Sequence, residues 1–161
     1  ANIKLSNIDE EAGETYGDIK IQSGDLNGII IEGELIPKVI DEIPILSLAA
    51  CFANGKTIIK DAGELRLKES DRISATVDGL SKLGADIKES SDGIIINGTK
   101  KLIGARVDSF NDHRIAMTMG IAGVLSSGVT EINRADANMI SYPGFWKQLS
   151  NITIKPANNV N

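Results

Sequence analysis

Hydrophobic and polar positions along this chain switch period repeatedly, and the switches mark out alternating strands and helices. Asp18-Ile19-Lys20-Ile21-Gln22 alternates strictly, and Gly28-Ile29-Ile30-Ile31-Glu32 follows the turn-like Ser23-Gly24-Asp25. Lys56–Lys60 predicts a third strand, and Asp86–Glu89 with Gly93–Asn97 predicts a hairpin across Ser90-Ser91-Asp92. Arg106–Phe110 and Val129–Ile132 add two more strands. Between them lie segments with helical character. Ile45–Ala53 is apolar almost all round and is closed by Asn54-Gly55. Asp71–Leu83 carries Ile73, Val77, Leu80 and Leu83 on one stripe, with Gly84 just beyond. Arg114–Leu125 is again almost wholly apolar, and Tyr142–Leu149 predicts a short final helix. The acidic run Asp9-Glu10-Glu11 reads as a solvated loop, and the tail Pro156–Asn161 reads as frayed.

Part of this pattern occurs twice. A buried helix, a glycine, an x-Thr-x-Ile strand and a connecting loop run over Ile45–Asp61 and again over Ile115–Ala135. Gly55-Lys56-Thr57-Ile58-Ile59 matches Gly128-Val129-Thr130-Glu131-Ile132. The order is β-α-β-α-β-β, repeated and cut short. Helices without a polar face imply a central helical layer with sheets packed around it. The expected class is therefore α+β, with buried helices under mixed sheets. The expected division is a first unit with its leading strands over residues 1–110 and a shortened second unit over 111–161. The repeat also implies that the chain is incomplete.

Composition narrows the function. A chain of 161 residues fits one domain or two small repeats, and its formal charge of −5 with a pI near 4.9 opposes nucleic-acid binding. No apolar run reaches the roughly 20 residues that span a bilayer, and Ala1-Asn2-Ile3-Lys4 lacks a signal peptide's apolar stretch. The one cysteine, Cys51, lies in an apolar run, so it reads as a buried structural residue rather than a metal ligand or disulfide partner. A cytoplasmic location follows as the expectation.

The charged residues are concentrated where helices begin. Leu65–Arg72 packs Arg66, Lys68 and Arg72 with Glu69 and Asp71 into eight residues. Asn111-Asp112-His113-Arg114 repeats the motif at the mouth of the second buried helix, and Asp41-Glu42 precedes the first. Helix amino ends favour anions, and an arginine adds a forked, permanent donor, so the pattern points to a small polyanion. Bland readings stand beside it. Glu69 and Arg72 share a helical face and suit a surface ion pair. Ser70 serves as a helix cap, with Asp71 favouring the first turn. Asp112 either caps its helix or acts chemically, and His113 suits a satisfied structural role. Of Asp41 and Glu42, one caps while the other faces a cleft. Arg114, entering an apolar helix, requires either an internal carboxylate or an anionic ligand.

Ile40-Asp41-Glu42-Ile43-Pro44, Leu65–Arg72 and Asn111-Asp112-His113-Arg114-Ile115-Ala116-Met117, in that order, resemble the carboxy-terminal half of the 5-enolpyruvylshikimate-3-phosphate synthase family. The likeness runs from about Asp18 to Leu149, and Tyr142-Pro143-Gly144-Phe145 resembles the family's closing segment. It implies a partial lobe of the enolpyruvyl transferase fold, built from βαβαββ units. It also implies transfer of enolpyruvyl from phosphoenolpyruvate to shikimate 3-phosphate, by addition–elimination with release of phosphate and no metal or organic cofactor. Carried over by motif, Asp41 contacts the shikimate hydroxyls and helps deprotonate the attacking oxygen. Glu69 protonates the methylene carbon. Arg72 and Arg114 clamp the carboxylate and phosphate, Lys68 adds an anion contact, and His113 lies adjacent. Where some relatives carry a lysine, Asn138-Met139-Ile140-Ser141 offers none. The implied partners are the two substrates and a missing amino-terminal lobe, without which turnover is not expected. The competing readings are a UDP-N-acetylglucosamine enolpyruvyl transferase lobe, a non-catalytic structural domain with internal ion pairs, and an RNA-end cyclase relative.

Overall fold

The computed structural model describes residues 1–153, so the tail expected to fray lies outside the described residues. Strands β1 (Asn2–Glu11) and β2 (Glu14–Gln22) form an antiparallel ribbon, and β3 (Ile30–Ile31) follows. Helix α1 (Ile36–Val39) and a 3₁₀ turn, Ile40–Glu42, lead into α2 (Ile43–Cys51). Then come β4 (Lys56–Ile59), a 3₁₀ turn over Gly63–Leu67, α3 (Arg72–Lys82), β5 (Asp86–Glu89) and β6 (Ile94–Asn97). The short strands β7 (Leu102–Ile103) and β8 (Arg106–Asp108) precede α4 (His113–Leu125). Finally β9 (Ser126–Ser127), β10 (Glu131–Asn133), a 3₁₀ segment over Ala135–Ile140 and α5 (Phe145–Ile152) close the described chain.

The expected β-α-β-α-β-β order is present. Strand β3 runs parallel to β4, β4 pairs antiparallel with β6, and β6 with β5, giving the sheet order β3-β4-β6-β5. Strands β8 and β10 are likewise parallel and flank α4, as β3 and β4 flank α2. Gly55 and Gly128, the paired glycines of the repeat, both have positive φ (83° and 91°), the conformation glycine reaches at least cost. This is an α+β arrangement, with buried helices under mixed sheets.

Helix boundaries shift for local reasons. Pro44 fits the first turn of α2, where its missing N–H costs nothing, so that helix begins at Ile43 rather than Ile45. Asp71, not Ser70, caps α3 by accepting the Ser74 N–H at 3.0 Å. Helix α4 begins at His113, one residue early, and α5 begins three residues late, at Phe145. Gly84, at φ 90°, ends α3 as expected.

The three longer helices α2, α3 and α4 pack on one another and bury Ile43, Leu48, Ile73, Leu80, Leu83, Ile115 and Met119 at 2% exposure or less. Helices α3 and α4 approach so closely that a Cβ at Gly79 would lie 2.6 Å from Met119 Sδ. Cys51 is fully buried and its thiol bonds to the Ser47 carbonyl at 3.3 Å, as its apolar setting predicts.

The amino-terminal ribbon corrects one expectation. Asp9-Glu10-Glu11 ends strand β1 rather than forming a loop. A register shift between Ser6 and Asp9 breaks the alternation there, so the strand carries no continuous period-two signal. Ile3 faces Ile21 and Leu5 faces Ile19, which lays four apolar side chains on one face of the ribbon. All four are more than half exposed.

Candidate active site

The amino ends of α2, α3 and α4 converge. Residues 41–42, 69–72 and 112–114, far apart in sequence, bond to one another there. At the centre is Arg72, the first residue of α3, with a side chain only 2% exposed. Its Nε donates to Asp112 Oδ2 at 2.7 Å, its Nη1 to Asp41 Oδ1 at 2.9 Å and its Nη2 to Glu69 Oε2 at 2.6 Å. The expectation of a surface ion pair between Glu69 and Arg72 is therefore corrected. The pair exists, but the cation is buried and two more carboxylates share it. Burial opposes the charge on Arg72, while Asp112, Glu69 and Asp41 more than offset it and raise its pKa.

Asp112 caps its helix, one of the two readings its sequence left open, and also anchors Arg72. Oδ1 caps α4, accepting the Arg114 N–H at 2.8 Å, while Oδ2 accepts from Arg72 and from Ser70 Oγ at 3.1 Å. The side chain is fully buried. Burial pushes its carboxyl up, but Arg72, the Arg114 N–H and Ser70 outweigh that and hold it below the ordinary 3.8. Ser70 thus bonds across the helix interface instead of capping α3.

Arg114 reaches back to the α2 entrance. Nη2 donates to Asp41 Oδ2 at 3.1 Å, and Nη1 donates to the Asp41 carbonyl at 3.2 Å and to Glu42 Oε1 at 3.3 Å. The expectation that one of Asp41 and Glu42 caps α2 is corrected. Neither side chain caps that helix, and both face Arg114. Asp41 is the carboxylate that joins both guanidinium groups.

Of the remaining sequence candidates, Lys68 bonds to Glu64 at 2.7 Å rather than to Glu69. His113 is 9% exposed, and its Nδ1 is buried without a hydrogen-bond partner among the described residues, so the satisfied structural reading does not hold. Arg66 stands apart from the cluster. It donates to Asp71 Oδ2, to the Ser90 and Ser91 carbonyls and to Glu89, tying the 65–70 segment to the β5–β6 turn.

A cleft of about 200 Å³ opens beside the cluster, lined by Asp41 and Arg114 on one side and by Met117, Tyr142 and Phe145 on another. Phe145 is edge-on to both Tyr142 and Trp146. Ile140, in the 3₁₀ segment before α5, is 73% exposed. The arrangement offers guanidinium donors for a polyanion, carboxylates for proton transfer and an aromatic wall. No group of His, Cys, Asp and Glu able to hold a metal ion occurs among the described residues.

The three longer helices of this α+β lobe thus bring their amino ends together, and two of them, α3 and α4, carry an arginine there. Residues 3–149 match the family model of EPSP synthase (3-phosphoshikimate 1-carboxyvinyltransferase), and the chain belongs to that family. Over 152 residues it is 49% identical to the 3-phosphoshikimate 1-carboxyvinyltransferase of Roseiflexus sp. (strain RS-1), covering 94% of this chain and 35% of that protein. The corresponding protein of Thermodesulfovibrio yellowstonii is 51% identical over 150 residues, again 35% of its length. A solved EPSP synthase from Acinetobacter baumannii superposes with a TM-score of 0.87 at 38% identity, covering 94% of this chain and 36% of that one. The chain thus spans about a third of the length of these relatives.

Proposed function

We propose that this chain is a carboxy-terminal partial lobe of a 3-phosphoshikimate 1-carboxyvinyltransferase, which joins phosphoenolpyruvate to shikimate 3-phosphate and releases phosphate. The observation that carries the reading is the meeting of Arg72, Arg114, Asp41 and Glu69 at three helix amino ends. Asp41 takes the proton from the acceptor hydroxyl as its oxygen attacks the enol carbon of phosphoenolpyruvate. Glu69 delivers a proton to the methylene carbon. The methyl group so formed then returns a proton as the C–O bond to phosphate breaks. Arg72 and Arg114 hold the carboxylate and phosphate, assisted by Lys68, with His113 adjacent. Asp41 and Glu42 accept from Arg114 in this structure, so an incoming anion takes over donors these carboxylates hold.

The partner is a complementary lobe from polypeptide outside these 161 residues. The coverage of about a third of each relative supports this, as does the exposed apolar face formed by Ile3, Leu5, Ile19 and Ile21. On this reading the chain alone does not turn over. Residues 1–110 form one βαβαββ unit with its leading strands, and the described part of 111–161 belongs to a second. A cytoplasmic location fits a buried, unpaired Cys51 and the absence, among the described residues, of a helix long and apolar enough to cross a membrane.

The test is acceptor selectivity. The chain is combined with the amino-terminal two-thirds of a close relative and given phosphoenolpyruvate with either shikimate 3-phosphate or UDP-N-acetylglucosamine. Phosphate release with shikimate 3-phosphate alone is expected. Release with the nucleotide sugar instead would transfer the chain to the cell-wall branch of this chemistry.

A further inference from the structure

Strands β8 and β10 end side by side, and both run into left-handed backbone without a glycine. Phe110 and Asn111 have φ of 54° and 60°, and Arg134 has φ of 57°. For side chains other than glycine this region is sparsely used, and for a bulky ring it is a marked departure. The two successive left-handed residues turn the chain from β8 into α4. They let the Asp112 N–H return to the Ser109 carbonyl at 2.9 Å and set Asp112 at the helix cap.

A compact set of contacts holds this turn. The Phe110 N–H donates to Asp108 Oδ1 at 2.7 Å, and the Asn111 N–H donates to Ser109 Oγ at 3.2 Å. Ser109 Oγ donates in turn to the Arg134 carbonyl at 2.9 Å. The Arg134 Nε donates to the same Asp108 Oδ1 at 2.8 Å, and its guanidinium sits 5.7 Å from the Phe110 ring centroid. Arg134 therefore touches both the carboxylate that pins the turn and the ring that the turn displays.

We propose that Arg134 and Asp108 are positioning residues for the cation cluster, locking Phe110 and Asn111 in left-handed geometry and so fixing Asp112, on which Arg72 is anchored. Neither residue touches the cluster. Their effect runs through two backbone conformations that relax to ordinary ones when the clamp is removed. Arg134 also opens the 3₁₀ segment Ala135–Ile140, which leads to the aromatic wall of the cleft, so the clamp joins both sides of the site. The proposal rests on reading the cluster as an anion site.

Rescue by glycine tests it, because glycine occupies left-handed geometry without the Cβ penalty. In the 161-residue chain, amide exchange is followed for Asp112 and Arg114, with Ile58 of strand β4 as the reference. Phosphoenolpyruvate is titrated in parallel into the chain combined with its amino-terminal complement. Arg134→Ala is expected to speed exchange at Asp112 and Arg114 about tenfold while leaving Ile58 unchanged, and to weaken phosphoenolpyruvate binding by a similar factor. Adding Asn111→Gly is expected to restore both. Unchanged exchange in Arg134→Ala, or no recovery on adding Asn111→Gly, would overturn the clamp. If the wild-type chain with its amino-terminal complement shows no phosphoenolpyruvate binding while the exchange pattern and its rescue hold, the anion-site reading falls and the clamp on Asp112 stands.

Discussion

Arg72 Nε lies 2.7 Å from Asp112 Oδ2, and these two side chains, 2% and 0% exposed, form the most deeply buried ion pair among the described residues. Two helices that begin 41 positions apart, at Arg72 and His113, are tied at their amino ends by this bond. A buried charge pair is a poor source of net stability, because desolvation consumes most of the attraction, but losing one partner strands the other. Asymmetry of this kind makes the pair a sensitive probe of the account.

Asp112→Ala leaves the Arg72 guanidinium buried and removes the α4 cap, so it is expected to cost about 3–5 kcal/mol in urea unfolding. Asp41→Ala is expected to cost less than about 1 kcal/mol, since that carboxylate is 40% exposed and Arg72 keeps Asp112. Equal losses in the two variants would contradict the assignment of Asp112 as the anchor.

Acid should act on the same groups. Burial alone would raise the carboxyls of Asp71, Asp108 and Asp112, but hydrogen bonds and neighbouring arginines leave all three below the ordinary 3.8. A group depressed in the folded state binds its proton more readily when unfolded. Its stabilisation is complete above pH 3.8 and drains away as pH falls through the lower folded value. Urea midpoints are therefore expected to be steady near neutrality and to drop steeply below about pH 4, less steeply in Asp112→Asn. A midpoint independent of pH down to 3 would refute this.

Glu69 separates chemistry from folding. Its side chain is 48% exposed, and its one bond to Arg72 is one of three that the arginine makes. Glu69→Gln is expected to shift stability by under about 1 kcal/mol. The same change is expected to cut turnover of the complemented protein by roughly 10²–10⁴-fold. Full turnover in Glu69→Gln would remove the glutamate from its role as carbon acid.

Cys51 offers a control on the core. Burial pushes its thiol up to about 11, so the folded chain holds almost no thiolate at pH 8. A thiol reagent is expected to react only as urea unfolds the chain, with the same midpoint as circular dichroism. Rapid reaction in native buffer would show that the helical layer opens locally.

Legibility in the sequence followed the range of the interactions. The β5–β6 hairpin, the repeat marked by Gly55 and Gly128, and the buried face of α3 are local patterns, and the structure places them where periodicity did. Strand β1 was missed because its alternation breaks between Ser6 and Asp9. The charged helix entrances were visible, but spacing showed only the Glu69–Arg72 contact. That Arg72 is buried depends on Asp41 and Asp112, partners 31 and 40 residues away, which no window of sequence can place. Arg134 gave no signal at all, since its backbone conformation and its contact with Phe110 exist only once β8 and β10 pair.

Turnover by the chain alone and with its complement tests the central claim most directly. Phosphate release is measured from phosphoenolpyruvate and shikimate 3-phosphate with the purified 161-residue chain, with the amino-terminal complement, and with both together. The account predicts release only from the mixture, abolished by Arg114→Ala. Release by the chain alone would contradict it, as would silence from a folded, associated mixture.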